Sequence, residues 1–128
     1  SKFRFANLRN AYLSLAYLRL AYLLLADLSG ADLIGASLKN ARFFGADLNE
    51  ADFNKADLSG ANFREANFLG AKFNRANLNQ TNFKQVKNLF FYRLLAVESL
   101  YKAKNLNADL EKRLKAKKRC LFTINGCK

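Results

Sequence analysis

The chain of 128 residues contains no histidine, and with it the commonest general base and metal ligand are missing. It has two cysteines, Cys120 and Cys127, too few to complete a zinc site within one chain that also lacks histidine. None of its six serines stands in a recognisable nucleophile motif, and no glycine-rich phosphate loop occurs. Apolar residues make up 51% of the chain, yet no uninterrupted apolar run is long enough to span a bilayer; near the N-terminus the longest is Leu20 to Ala26. Together these absences leave no set of groups from which a catalytic site could be assembled, and no cofactor is implied. The reading is therefore of a non-enzymatic chain.

What is present is a period of five. Every fifth residue from Ala6 to Ala76 is Ala, and every fifth residue from Phe3 to Phe83 is Leu or Phe, 17 positions holding ten Leu and seven Phe. On an α-helix, successive members of such a series would step by about 140° and leave no apolar stripe. A long strand fails too, because its side chains alternate with a period of two. A mixed unit works: Ala46 points in, Asp47 out and Leu48 in, as a short extended segment, and Asn49 and Glu50 turn a corner. Repetition gives a coil closing on small Ala and large Leu/Phe. Grouping the inward positions by twenty puts six of the seven Phe in two opposite columns (Phe3, Leu23, Phe43, Phe63, Phe83 and Leu13, Leu33, Phe53, Phe73), which supports an even number of sides without by itself fixing four. The glycines Gly30, Gly35, Gly45, Gly60 and Gly70 all take the fifth place of a block, where a turn is due.

The blocks Ala26-Asp27-Leu28, Ala56-Asp57-Leu58, Ala61-Asn62-Phe63 and Ala76-Asn77-Leu78 resemble the A(D/N)LXX motif of the pentapeptide-repeat family, over roughly residues 1–87. The resemblance implies an all-β solenoid, a right-handed quadrilateral β-helix with four pentapeptides per coil, hence about four coils. It also implies a family that shares a fold and not one activity. Some members mimic DNA and bind gyrase-type topoisomerases with acidic surfaces; the net charge of +12 here disfavours that reading.

The register fails at Asn88, where a Leu or Phe is due. The expected organisation is a β-helix over residues 1–87 and a helical cap with a basic tail over 88–128. A helix over about 89–102 would place Phe90, Leu94, Val97, Leu100 and Tyr101 on one face, with Phe90, Leu94, Val97 and Leu100 covering the last coil, since solenoid ends need caps. Asn107 is placed to cap a second helix. Its basic faces (Lys112, Arg113, Lys115, Lys117, Lys118, Arg119) are candidates for binding phosphate backbones or anionic lipid. A Cys120–Cys127 disulfide would close a short loop around Asn125-Gly126; two reduced thiols fit the spacing as well. The compartment stays open accordingly: cytoplasmic, or periplasmic or lumenal if the cysteines are bridged. Ser1 in first place is compatible with a removed targeting peptide or a trimmed start.

Two further patterns concern the outward positions. Twenty-residue spacing stacks Asp27 over Asp47 and Asp32 over Asp52, with Asp57 on the next side, either a solvated ladder of turn-forming carboxylates or like charges close enough to raise a pKa. The first coil and a half puts apolar residues outside: Phe5, Tyr12, Leu15, Tyr17, Leu20, Tyr22, Leu24 and Leu25, then Ile34 and Phe44. A clustered apolar band marks an interface, with a protein partner or in a head-to-head homodimer that would cover the first coil; scattered surface hydrophobes, or burial under a short N-terminal extension, are the alternatives. The leading expectation is thus a structural or protein-interaction module. Nucleic-acid or anionic-surface binding through the basic C-terminal helix is the alternative.

Overall fold

The computed structural model describes residues 2–127. Its organising contact is the parallel β-bridge between residues twenty apart: Asp27 pairs with Asp47, Asp47 with Asn67, and fourteen such bridges run from Lys2–Tyr22 to Asn67–Lys87. Twenty residues per coil and five per side give four sides. Side 1 holds residues 2–5, 21–25, 41–45, 61–65 and 81–85, and sides 2, 3 and 4 follow in chain order. The fold is the right-handed quadrilateral β-helix, and each side is joined to the neighbouring coils by backbone bonds such as those from Asp47 N–H to Ala26, Leu48 N–H to Asn67 and Glu50 N–H to Leu69.

Every block closes through the same turn. The N–H of each Ala donates to the carbonyl of the Leu or Phe three places earlier, as from Ala46 to Phe43 at 2.9 Å. The fifth residue has positive φ (+65° at Gly45, +59° at Glu50), whereas the fourth does not, and these features define a type II turn. Asp or Asn at the second place accepts a bond from the N–H two residues on, as Asp47 does from Asn49 at 3.0 Å and Asp57 from Ser59 at 3.0 Å. That bond explains why short carboxylates and amides recur there: they brace the turn.

Inside, Ala21 through Phe83 are buried at every first and third place. The phenylalanines stack along the axis, Phe43 on Phe63 at 4.9 Å and Phe53 on Phe73 at 5.4 Å between ring centroids, and meet edge-to-face across it, Phe43 to Phe53 at 6.1 Å. The first coil differs. Phe3, Leu8, Leu13 and Leu18 are only half-buried, since one neighbouring coil covers them instead of two.

The C-terminal end departs from expectation. Helix α1 spans only Phe91–Leu94, not 89–102. The chain then rejoins the ladder, with Ser99 bridged to Asn77 and Lys104 to Asn82, a spacing of 22. The reason lies in the preceding coil, whose outward-facing backbone donors need acceptors. A continuous helix would consume its own carbonyls. The extended path instead lets Ala96, Ser99, Tyr101 and Lys104 accept from Arg75, Leu78, Gln80 and Phe83 at 2.7–2.9 Å. Phe90 precedes α1 and is exposed, so it covers nothing; Phe91 packs on the core in its place. Leu94, Val97 and Leu100 are buried as expected.

Helix α2 spans Ala108–Lys117, with the Asn107 side chain accepting from Asp109 and Leu110 N–H. Its Leu114 is fully buried. A 3-10 turn over Arg119–Phe122 follows, and the Leu121 carbonyl accepts from Leu100 N–H at 2.6 Å. That carbonyl stands where another coil would begin, so the chain's own tail closes the end.

The in–out assignment has a direct test. Leu58→Asp buries an unpaired carboxylate and is expected to cost several kcal/mol. Asp57→Leu, one place earlier, removes only the bonds from Ser59 and should cost about 1 kcal/mol. Urea denaturation of both variants measures the difference; equal losses would contradict the register.

Candidate interaction surfaces

The apolar outward residues of the first coil and a half do not form one flat patch. Phe5, Tyr22, Leu24 and Leu25 lie on side 1, Tyr12 and Leu15 on side 3, and Tyr17 and Leu20 on side 4, so they form a collar around three sides of the N-terminal end. Tyr12 and Tyr17 are almost wholly exposed, at 92% and 90%. Phe5, Leu15, Leu20 and Leu25 are exposed as well, whereas Tyr22 and Leu24 are half-buried. Side 2 interrupts the collar with Asn7, Arg9 and Asn10.

Among the described residues, nothing pairs with the backbone edge that the collar surrounds. In later coils the second-place N–H donates to an Ala carbonyl of the coil before, as Asp27 does to Ala6. Among the described residues, the N–H groups of Asn7, Tyr12 and Tyr17 have no such acceptor.

The stacked carboxylates act as turn braces. Asp27 accepts from both the hydroxyl and the N–H of Ser29, at 2.5 and 3.0 Å, and faces Arg9 at 3.4 Å. The Ser29 bonds, aided by the Arg9 charge, hold its carboxyl below the ordinary aspartate value of 3.8. Like-charge stacking does not raise it. Among the described residues no group of three or more potential metal ligands comes together.

The basic residues of the C-terminal segment are partly engaged within the molecule. The Arg113 guanidinium lies 4.5 Å from the Phe91 ring centre, Lys115 pairs with Glu111 at 3.4 Å, and Lys118 donates to the Leu95 carbonyl at 2.9 Å. Lys112, Lys117 and Arg119 stand exposed, with no such contact among the described residues. Elsewhere, guanidinium groups lie over aromatic rings twenty or more residues back: Arg42 over Tyr22 at 4.7 Å and Arg64 over Phe44 at 5.8 Å. The sequence reading missed these pairs, although the same grouping by twenty, applied to outward places, would have found them.

Cys120 and Cys127 are joined by a disulfide, with Cα atoms 5.3 Å apart. The loop between them is tied to the ladder by Cys127 N–H, which donates to the Glu98 carbonyl at 2.9 Å. An open groove of about 810 Å³ lies alongside, lined by Arg75, Val97, Glu98 and Lys118 among others. Among the described residues no helix is long and apolar enough to cross a membrane.

Four sides, twenty-residue coils and an Asx-braced type II turn at each corner define a quadrilateral β-helix built from pentapeptides. The profile of the pentapeptide repeats family matches eight copies, over residues 1–40, 21–60 and 46–85, and the chain belongs to that family. Among solved structures it is similar to a pentapeptide repeat protein from Nostoc PCC 7120, at 31% identity and TM-score 0.66, covering 81% of each chain. It is also similar to one from the Arabidopsis thaliana thylakoid lumen, at 27% identity and TM-score 0.65, covering 90% of this chain and 74% of that one. A third, from the cyanobacterium Cyanothece 51142, is 35% identical with TM-score 0.54 over 67% of this chain and 55% of its own. No curated protein sequence matches significantly.

Two measurements follow from these sites. Because the Asp27 pKa is depressed on folding, its contribution to stability is full above pH 3.8 and is lost as pH falls through the folded value. Ser29→Ala should move the carboxyl titration of Asp27, followed by NMR, up toward 3.8. Reducing the Cys120–Cys127 bridge, which closes a short loop, should cost about 2–3 kcal/mol. That is a drop of about 10 °C in Tm for a chain of this size, read by calorimetry with and without reductant.

Proposed function

We propose that this chain is a non-enzymatic protein-interaction module that docks through its N-terminal collar. The observation that carries this reading is the double cost of the collar. Phe5, Leu15, Leu20 and Leu25 all adopt φ of +55° to +60°, a left-handed conformation that costs bulky L residues about 1–2 kcal/mol each. The corresponding places of later coils hold Gly, Asn, Glu, Lys, Gln or Arg. Large apolar side chains here gain only partial burial in return, since each remains exposed. Residues that are unfavourable to the folded monomer on two counts fit a surface that is covered in use. The open backbone edge inside the collar adds hydrogen-bonding groups that a docking partner, or a second copy placed head to head, can satisfy. With Cys120 and Cys127 bridged, an oxidising compartment such as a lumen or periplasm suits the chain best.

The test exploits the conflict between stability and binding. Leu15→Asn, Leu20→Asn and Leu25→Asn together should raise the stability of the isolated chain by about 1–3 kcal/mol, because Asn tolerates left-handed backbone. The same triple variant should lose self-association in analytical ultracentrifugation, or lose the protein captured from source cells by the unmodified chain. A wild-type chain that stays monomeric at high concentration and captures no partner would refute the reading.

A further inference from the structure

Sorting outward side chains by side separates charges that the linear sequence mixes. Side 1 and its continuation carry Lys2, Arg4, Arg42, Arg64, Lys84 and Lys104, against the single acid Glu65. Side 2 carries Arg9 and Lys87 against Asp27, Asp47 and Glu50. On sides 3 and 4, Asp32, Asp52 and Asp57 are interspersed with the cations. The positive balance of the repeat region is therefore gathered on one face.

All six side 1 cations are exposed, and none takes part in the ion pairs found among the described residues, which are Arg9–Asp27 and Lys115–Glu111. They lie in two adjacent columns. Lys2 and Lys104 stand five rungs apart, about 24 Å at the ~4.8 Å spacing of stacked strands. Three guanidinium groups are held over rings: Arg4 at 5.7 Å from the Phe5 centre, Arg42 at 4.7 Å from Tyr22 and Arg64 at 5.8 Å from Phe44. Such stacking occupies the guanidinium face and leaves its N–H edges, the groups that fork onto phosphate oxygens.

We propose that side 1 is a binding strip for the phosphate backbone of a nucleic acid, a function carried by the β-helix wall, which shares Phe5 and Tyr22 with the collar at its N-terminal end. A straight line of cations, bordered at its corner by an open groove along Leu25, Gly45, Glu65 and Gln85, complements a linear polyanion of regular charge. A broad anionic lipid surface fits less well, for two reasons. The adjoining side 2 is acidic, and the strip's rings Tyr22 and Phe44 are half-buried beneath the charged groups, so beyond the exposed Phe5 and Leu25 at its N-terminal end the strip offers little to insert into a bilayer. The strip presents cations, not a set of groups arrayed along a groove to read base edges, so binding is independent of sequence.

The experiment is fluorescence anisotropy of the full chain with labelled 24-nucleotide DNA, single-stranded and duplex, between 25 and 200 mM salt. Six phosphate contacts predict that the logarithm of the duplex binding constant falls with that of salt at a slope of about −5. Arg42→Gln with Arg64→Gln should weaken binding about tenfold or more at low salt and make the slope shallower by about 2. Neutralising Lys112, Lys117 and Arg119 on the C-terminal segment should change affinity less than about threefold. Circular dichroism confirms that both variants are folded, as substitutions at exposed places should allow. Three results would overturn the proposal: an unchanged Arg42/Arg64 variant, a dominant loss from the C-terminal variant, or no DNA binding at 25 mM salt. Equal or tighter binding to polyglutamate, or to vesicles of anionic phospholipid, would assign the strip to another kind of partner and would equally overturn it.

Discussion

The backbone bond from one coil to the next governs this molecule. Leu28 N–H donates to Asp47 O and Asp47 N–H to Ala26 O, and repetition of that exchange holds each residue over the one twenty places earlier. Columns, not neighbours in sequence, are consequently the unit of packing. The phenylalanine stacks, the Asn74 N–H donated to the Asn54 side chain, and the arginines laid over aromatic rings are all contacts within or between columns. Even the cost of a residue is set by its column. A leucine at the third place is buried at no conformational cost, whereas a leucine at the fifth place is exposed in a left-handed conformation.

The two ends of the solenoid meet the same problem differently. A coil leaves donors and acceptors facing along the axis, and an apolar core open beneath them. At the C-terminal end the chain answers with its own resources: residues 96–104 supply carbonyls, Leu94, Leu100, Leu114 and Leu121 close the core, and the disulfide fastens the last turn. At the N-terminal end the first coil keeps its edge, its half-buried Leu8, Leu13 and Leu18, and an apolar collar. This asymmetry among the described residues supports the docking proposed for that end.

Much of the fold was legible because the five-residue period buries Ala and Leu/Phe together, the Phe columns supported an even number of sides, and the resemblance to the pentapeptide repeats implied four. The helix expected over 89–102 was not legible, because its apolar spacing fits a helix locally, while the deciding factor, the unpaired donors of Arg75, Leu78, Gln80 and Phe83, belongs to residues some twenty places away. Phe90 was misplaced for the same reason. The surfaces were partly legible. The collar residues could be named from their places in the block, but their spread over three sides needs the geometry. The basic strip was hidden by linear order, since Arg4, Arg42 and Arg64 are neighbours only when the chain is wound.

Because each coil touches only the coils beside it, resistance to opening need not be uniform along the axis. The C-terminal coils are held on both faces and cross-linked at the end, and the first coil is held on one face only. Amide hydrogens should therefore exchange in a gradient, fastest in residues 2–20 and slowest around the Phe53–Phe73 stack, as the solenoid frays from the coil held on one face toward the capped end. A ligand seated on the first coil would do more than occupy a surface: it would supply the missing neighbour and flatten that gradient, so that occupancy at one end is written into the protection of coils it never touches.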